Sequence, residues 1–169
     1  MRETPDDIVQ LQALLDSSVA QAGAFLREAF EMPEHSLSAT QLVTYLQGIQ
    51  NVALATTTAK GEPRVAPIGS LFFRGRFCIP TVAAAARARH IARRPAVSLT
   101  HYAGDDLAII VHGRALALAA DHPDFAALEQ QQRAINGQSP RDWGEGIYLR
   151  VDADVIYTFA RFPERFPEQ

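Results

Sequence analysis

Apolar residues follow two rhythms along this chain. The first is helical: Ile8, Leu11, Leu15, Val19, Ala22, Leu26 and Phe30 recur every three or four positions, which predicts one helix with one packed face. Thr4 is placed to cap it, Pro5 suits the first helical position, and Asp6 and Asp7 favour the positive helix end. Pro33 ends the pattern. Ser38 with Gln41 three residues on forms a capping box, opening a second helix that carries Leu42, Tyr45, Leu46 and Ile49.

From Asn51 the rhythm changes to that of strands. "NVALATTT", "PRVAPIGSLFF" and "RFCIPT" are extended runs separated by the short turns "AKGE" and "RG", which predicts an antiparallel meander. Pro63, Pro67 and Pro80 cannot donate to a ladder, so edges or openings are expected there. "AVSLTHY" and "LAIIVHGRALAL" are two further strands joined by "AGDD". A helix follows from Asp121 and Pro123 to about Ile135, with Phe125, Leu128 and Ile135 on its apolar face, and then the polar loop "NGQSPRDWGEG". "IYLRVD" and "VIYTFA" are expected to pair around Ala153 and Asp154, ahead of the tail "RFPERFPEQ".

The resulting fold class is mainly β with added helices, an antiparallel barrel of six to seven strands with an N-terminal helical extension. It forms a single domain over 1–169: helices in 1–50, the barrel core with a basic helix in 51–120, and a helix, loop and closing strands in 121–169.

Composition narrows the function classes. An apolar content of 47% and charged content of 21% suit a soluble globular protein. A net charge of −3 argues against general nucleic-acid binding. No apolar run spans a bilayer, so no membrane association is expected. The lone cysteine, Cys78, excludes an internal disulfide and suits a cytoplasmic location. The five histidines lack ligand spacing with carboxylates, so no metal site is expected, and no motif proposes a catalytic nucleophile or acid–base residue. His101 and Tyr102, beyond the fourth strand, are candidates for proton donation or a substrate pocket, although strand-end packing is the simpler role.

One segment stands against this background, "AAAARARHIARRP" at residues 83 to 95. On a helix, Arg87, His90 and Arg94 share one face, Arg89 and Arg93 another, and Ala84, Ala88 and Ile91 form an apolar seam for docking on the barrel. Thr81 is a candidate N-cap beside backbone N–H groups that favour anions. An anion held between that helix end and a guanidinium fork would be well satisfied.

"NVALATTTAKGEPRVAPIGSLFFRGRFCIPT", then "RARHIARRPAVSLTHY", then "IIVHGRALAL" resembles the pyridoxamine 5′-phosphate oxidase-like family of FMN-binding split barrels. The match covers about residues 50 to 118, with a weaker echo at "RDWGEGIYLRV". The resemblance implies a homodimer binding FMN, or in one branch the deazaflavin coenzyme F-420, between subunits. It implies that Arg64, Val65, Ala66, Pro67 and Ile68 lie along the flavin, that Pro80 and Thr81 end the strand reaching it, and that Arg87 takes the place of the phosphate-binding lysine. Arg89 is a further candidate, and Trp143 matches a tryptophan that approaches the flavin from the partner subunit. Ala85, Ala86 and Ala108 stand where the oxidase branch has serine, arginine and glutamine. The activity so implied is a flavin-dependent oxidoreductase transferring hydride to or from a small organic substrate. An F-420-dependent reductase and a non-catalytic flavin- or haem-binding protein are the alternatives.

Overall fold

A computed structural model of the chain describes residues 3–168. Helices α1 (Pro5–Gln21), α2 (Ala24–Ala29) and α3 (Ala39–Tyr45) lead in. Thr4 caps α1 reciprocally: its hydroxyl accepts from the Asp7 N–H at 3.2 Å, and the Asp7 carboxylate accepts from the Thr4 N–H at 2.8 Å. The apolar spacing from Ile8 to Phe30 predicted a single helix, but the chain leaves it at Ala22 and Gly23 and re-enters at Ala24. Glycine weakens a helix interior. The break is held from the other side, because the Arg27 guanidinium donates to the carbonyls of Val19, Ala20 and Ala22 at the end of α1.

Ser38 and Gln41 form the expected capping box on α3, with the Ser38 hydroxyl accepting from the Gln41 N–H at 3.2 Å. The Gln41 amide also donates to the carbonyls of Pro163 and Phe166, tying the C-terminal tail to this helix. Ser38→Ala is expected to lower unfolding stability by about 1 kcal/mol, read from the urea midpoint.

Six strands follow: β1 (Gln50–Thr57), β2 (Pro63–Phe73), β3 (Arg76–Val82), β4 (Ala96–Ala103), β5 (Leu107–Leu118) and β6 (Gly146–Ala160). They close an all-antiparallel barrel in the order β1-β2-β3-β6-β5-β4. Helix α4 (Ala86–Arg93) crosses between β3 and β4, and α5 (Phe125–Asn136) between β5 and β6. Alternate residues point inward, so Val52, Leu54, Leu99, Ile109, Leu149 and Ile156 share one core, and Leu11, Leu15, Leu42 and Leu46 from α1 and α3 join it. Outside the barrel, α5 packs Phe125 and Leu128 on Leu71, Cys78 and Tyr148 as a second core.

Two expectations need correction here. The hairpin around Ala153 and Asp154 does not form, because residues 146–160 are one continuous strand. Its pairing with β5 steps at a bulge: His112 faces Val155, Gly113 faces Ala153, and Asp154 is left over and exposed. The closing helix also starts later than Asp121, since α5 begins at Phe125 and Asp124 is drawn into an ion pair with Arg74 at 2.8 Å.

Cys78 is fully buried, and burial pushes its thiol up to about 12. It is expected to resist thiol reagents at neutral pH until the chain is denatured. The unfolded thiol ionises first, so its contribution to stability is whole below about pH 9 and is lost as pH rises toward 12.

Candidate functional site

The barrel is open along one seam. Residues 63–70 of β2 pair with β1, but β2 meets β3 only where Leu71, Phe72 and Phe73 face Cys78, Phe77 and Arg76. From Ile79 onward β3 pairs with β6 alone. The first half of β2 and the end of β3 therefore splay apart, each with one edge free of strand pairing. All three strand prolines, Pro63, Pro67 and Pro80, lie on these splayed segments, where they remove donors that would help zip the seam.

Helix α4 packs on β1 and β5, and its N-terminal end borders this opening. Ala88 and Ile91 are buried against the barrel, while Arg89 and Arg93 face solvent. The helix starts at Ala86, with Ala85 at the cap position and no side chain accepting from its first N–H groups. Thr81 is therefore not the cap expected of it. It lies inside β3, 4% exposed, and its hydroxyl accepts from Arg87 Nη1 at 3.2 Å. Ala84 precedes the helix and is exposed, so the docking seam is Ala88 and Ile91 alone.

Arg87 separates two hollows. One, of about 420 Å³, is lined by Ile68, Pro80, Thr81, Trp143 and Gln132. The other, of about 330 Å³, is lined by Arg64, Val65, Ala66, Thr56 and His90. Arg87 borders both. Most of the residues expected from sequence thus gather at one seam. Pro67 and Arg89 do not line either hollow, and Arg89 Nη1 instead donates back to the Ala84 carbonyl at 2.7 Å. Trp143 was expected to reach a partner's cofactor, yet it already lines the cleft of its own chain, 48% exposed.

The second hollow is electropositive. It is bordered by two guanidiniums and an imidazole, and no carboxylate lines it. Glu62 is bound to Arg64 Nη2 at 2.8 Å from the side of the turn. Backbone donors at the uncapped start of α4 add to this field. The first hollow is less polar, with Ile68, Pro80 and Trp143 supplying flat apolar walls. The seam therefore offers an anion seat continuous with an apolar slot.

Sequence reasoning assigned no site role to Thr56 or His90. His90 stands one helical turn beyond Arg87, and that spacing was the available signal; Thr56 comes from another strand and carried none. His101 proves to be packing: it is 7% exposed, with Nδ1 2.9 Å from the Asn51 carbonyl and Nε2 2.9 Å from the Tyr45 hydroxyl. Tyr102 is exposed. Ala108 faces Tyr102 and Phe159 and lines neither hollow.

Among the described residues no cluster suits a metal ion, and no helix is long and apolar enough to cross a membrane. Another polar hollow, between α1 and the β2–β3 turn, holds Arg74, Arg76 and Arg150, each already paired with Asp124 or Asp152.

The sequence profile of the pyridoxamine 5′-phosphate oxidase family matches residues 39–157. No curated protein matches the chain by sequence. Among solved structures, a conserved hypothetical protein of Mycobacterium tuberculosis superposes with a TM-score of 0.65 at 16% identity, over 80% of this chain and 92% of that one. An F420 reductase gives 0.55 at 18% identity, over 68% and 94% of the two chains. A FAD-binding protein of Mesorhizobium loti gives 0.56 at 17% identity, over 73% and 93%. At these identities the likeness is one of fold.

Proposed function

The chain belongs to the pyridoxamine 5′-phosphate oxidase family, and on that premise we propose that it is a flavin-dependent oxidoreductase using FMN. The observation that carries this reading is Arg87, standing at the junction of an electropositive hollow and an apolar slot. The donor set fits the cofactor. Arg87 and Arg64 offer guanidinium forks to a phosphate, and the uncapped N-terminus of α4 adds backbone donors without a competing carboxylate. Ile68, Pro80 and Trp143 offer flat apolar surface to a ring system, and the free edge of β2 offers backbone hydrogen-bonding groups beside it.

FMN, when bound, supplies the hydride chemistry that no side chain here offers. The protein's part is to hold and orient the cofactor and to exclude water. Thr81 fixes the Arg87 fork through its hydroxyl, so less conformational freedom is lost on binding. Val65 is 67% exposed and Trp143 48% exposed at the rim of the seam. A second copy of the chain, in a homodimer, would cover this bare apolar surface and leave room for a small organic substrate. The chain would act in the reducing cytoplasm, where Cys78 stays a thiol.

A second reading, a reductase using F-420, draws on the fold shared with the F420 reductase. Its longer acidic tail would need basic groups beyond the seat. Arg94 is near enough to the turn after β1 to donate to the Ala59 carbonyl at 3.4 Å, whereas Arg89 is turned back on its own helix.

The test is the absorbance spectrum of the purified protein, followed by separate titrations with FMN and F-420. One FMN per chain, reducible by a nicotinamide donor and reoxidised by an added acceptor, is the expected result. A preference for F-420 moves the protein to the second reading. Tight flavin without turnover, or a haem Soret band, makes it a binding protein, and failure to bind any of them overturns the cofactor assignment.

A further inference from the structure

Resting on the phosphate seat just proposed, we infer that His90 is its third cationic group, an imidazolium that binds the cofactor phosphate alongside Arg87 and Arg64. His90 lies one turn beyond Arg87 on α4 and lines the same hollow. Its Nδ1 is 3.0 Å from the Thr56 hydroxyl, and Thr56 is itself 4% exposed, so the ring is anchored from the barrel wall. Nε2 has no protein partner among the described residues. An anchored ring with one nitrogen spoken for and the other free, in a hollow of positive groups, is built for an anionic ligand.

The charged groups around the ring are almost all cationic. On α4 and just after it stand Arg87, Arg89, Arg93 and Arg94; Lys60 and Glu62 flank the β1–β2 turn; Arg64 is on β2 and Arg114 on β5. β1 contributes only the neutral Thr56 at this place. The sole anion among them, Glu62, is bound to Arg64. A phosphate dianion attracts an imidazolium, so proton and phosphate favour each other's binding. The arrangement also makes good a loss, because Ala85 and Ala86 at the start of the helix offer no side-chain hydrogen bonds to a phosphate.

Riboflavin, which lacks the phosphate, isolates the effect. Dissociation constants for FMN and riboflavin are measured on the intact protein by flavin fluorescence, from about pH 8 to about pH 6.5, where an ordinary imidazole gains its proton while the phosphate stays largely dianionic. The preference for FMN over riboflavin is expected to widen by roughly fivefold as pH falls across that range. In His90→Gln the widening disappears, FMN affinity at the acid end drops by roughly tenfold, and riboflavin affinity is unchanged. An FMN preference with the same pH dependence in His90→Gln overturns the role of His90 and leaves the seat intact. Absence of any FMN preference at every pH sinks both. Should His90→Gln not fold, the unmodified protein still decides, since a preference that is flat or narrows toward acid overturns the inference.

Discussion

Arg87→Ala is expected to weaken FMN binding by roughly 10- to 100-fold while leaving riboflavin binding almost unchanged. A charge-assisted hydrogen bond contributes about 1.5 to 3 kcal/mol net, and each 1.4 kcal/mol is a tenfold change in affinity. Arg87 stands where the phosphate seat meets the apolar slot, so its loss leaves only Arg64, 57% exposed at its side chain and shared with Glu62, together with the helix end and His90. Solvent screens an exposed guanidinium, which is why Arg64→Ala should cost less than Arg87→Ala. Arg87→Lys keeps the charge but gives up the planar fork and its hold on Thr81, and should fall between wild type and alanine. Equal losses for FMN and riboflavin in Arg87→Ala would mean that the arginine supports the slot rather than the phosphate. No loss for either would remove Arg87 from the site. Fluorescence titration of both ligands separates these outcomes, and circular dichroism confirms that the variant is folded.

Gly113→Ala is expected to destabilise the fold by about 3 kcal/mol or more. A Cβ at Gly113 would overlap the Asp152 carbonyl oxygen and lie 2.8 Å from the Ala153 Cα. Both are backbone atoms of β6, so no rotamer change relieves the clash. The strand would have to move, and β6 is the strand that joins β3 to β5 across the barrel. Gly48→Ala is the control: a Cβ there meets nothing within 4 Å, and its unfolding midpoint should barely change. A Gly113→Ala protein with a wild-type urea midpoint would mean that the two backbones do not approach as closely as the bulge requires.

These two positions show how differently parts of the molecule were legible. Arg87 stood out in the sequence because a run of alanine and arginine is unusual in a chain of net charge −3, and because helical spacing put it on one face with His90. Gly113 lay inside the predicted strand "LAIIVHGRALAL" with no role of its own. Its reason lies in Asp152 and Ala153, some 40 residues further on and brought opposite only by β6. The same holds for the misjudged hairpin. Asp154 following Ala153 carries a local turn signal, yet pairing with β5 both before and after this point keeps the strand extended and absorbs the extra residue as a bulge.

The split-barrel architecture, the first five strands and the basic helix docked on the barrel were legible in the sequence, since alternation, turn residues and helical spacing act over a few neighbours. So was family membership, through the order of "RVAPI", "IPT" and "RARHIARRP". Which residues share the cleft was decided by tertiary structure. Thr56 meets His90 only because β1 passes beneath α4, and Thr81 serves Arg87 rather than the helix end because β3 runs on to Val82 and the cap position falls at Ala85, four residues beyond Thr81. Periodicity records which face a side chain takes on its own element. What that face meets depends on pairing between distant strands, and along most of β2 that pairing stops short of β3, leaving the seam that the proposed site occupies.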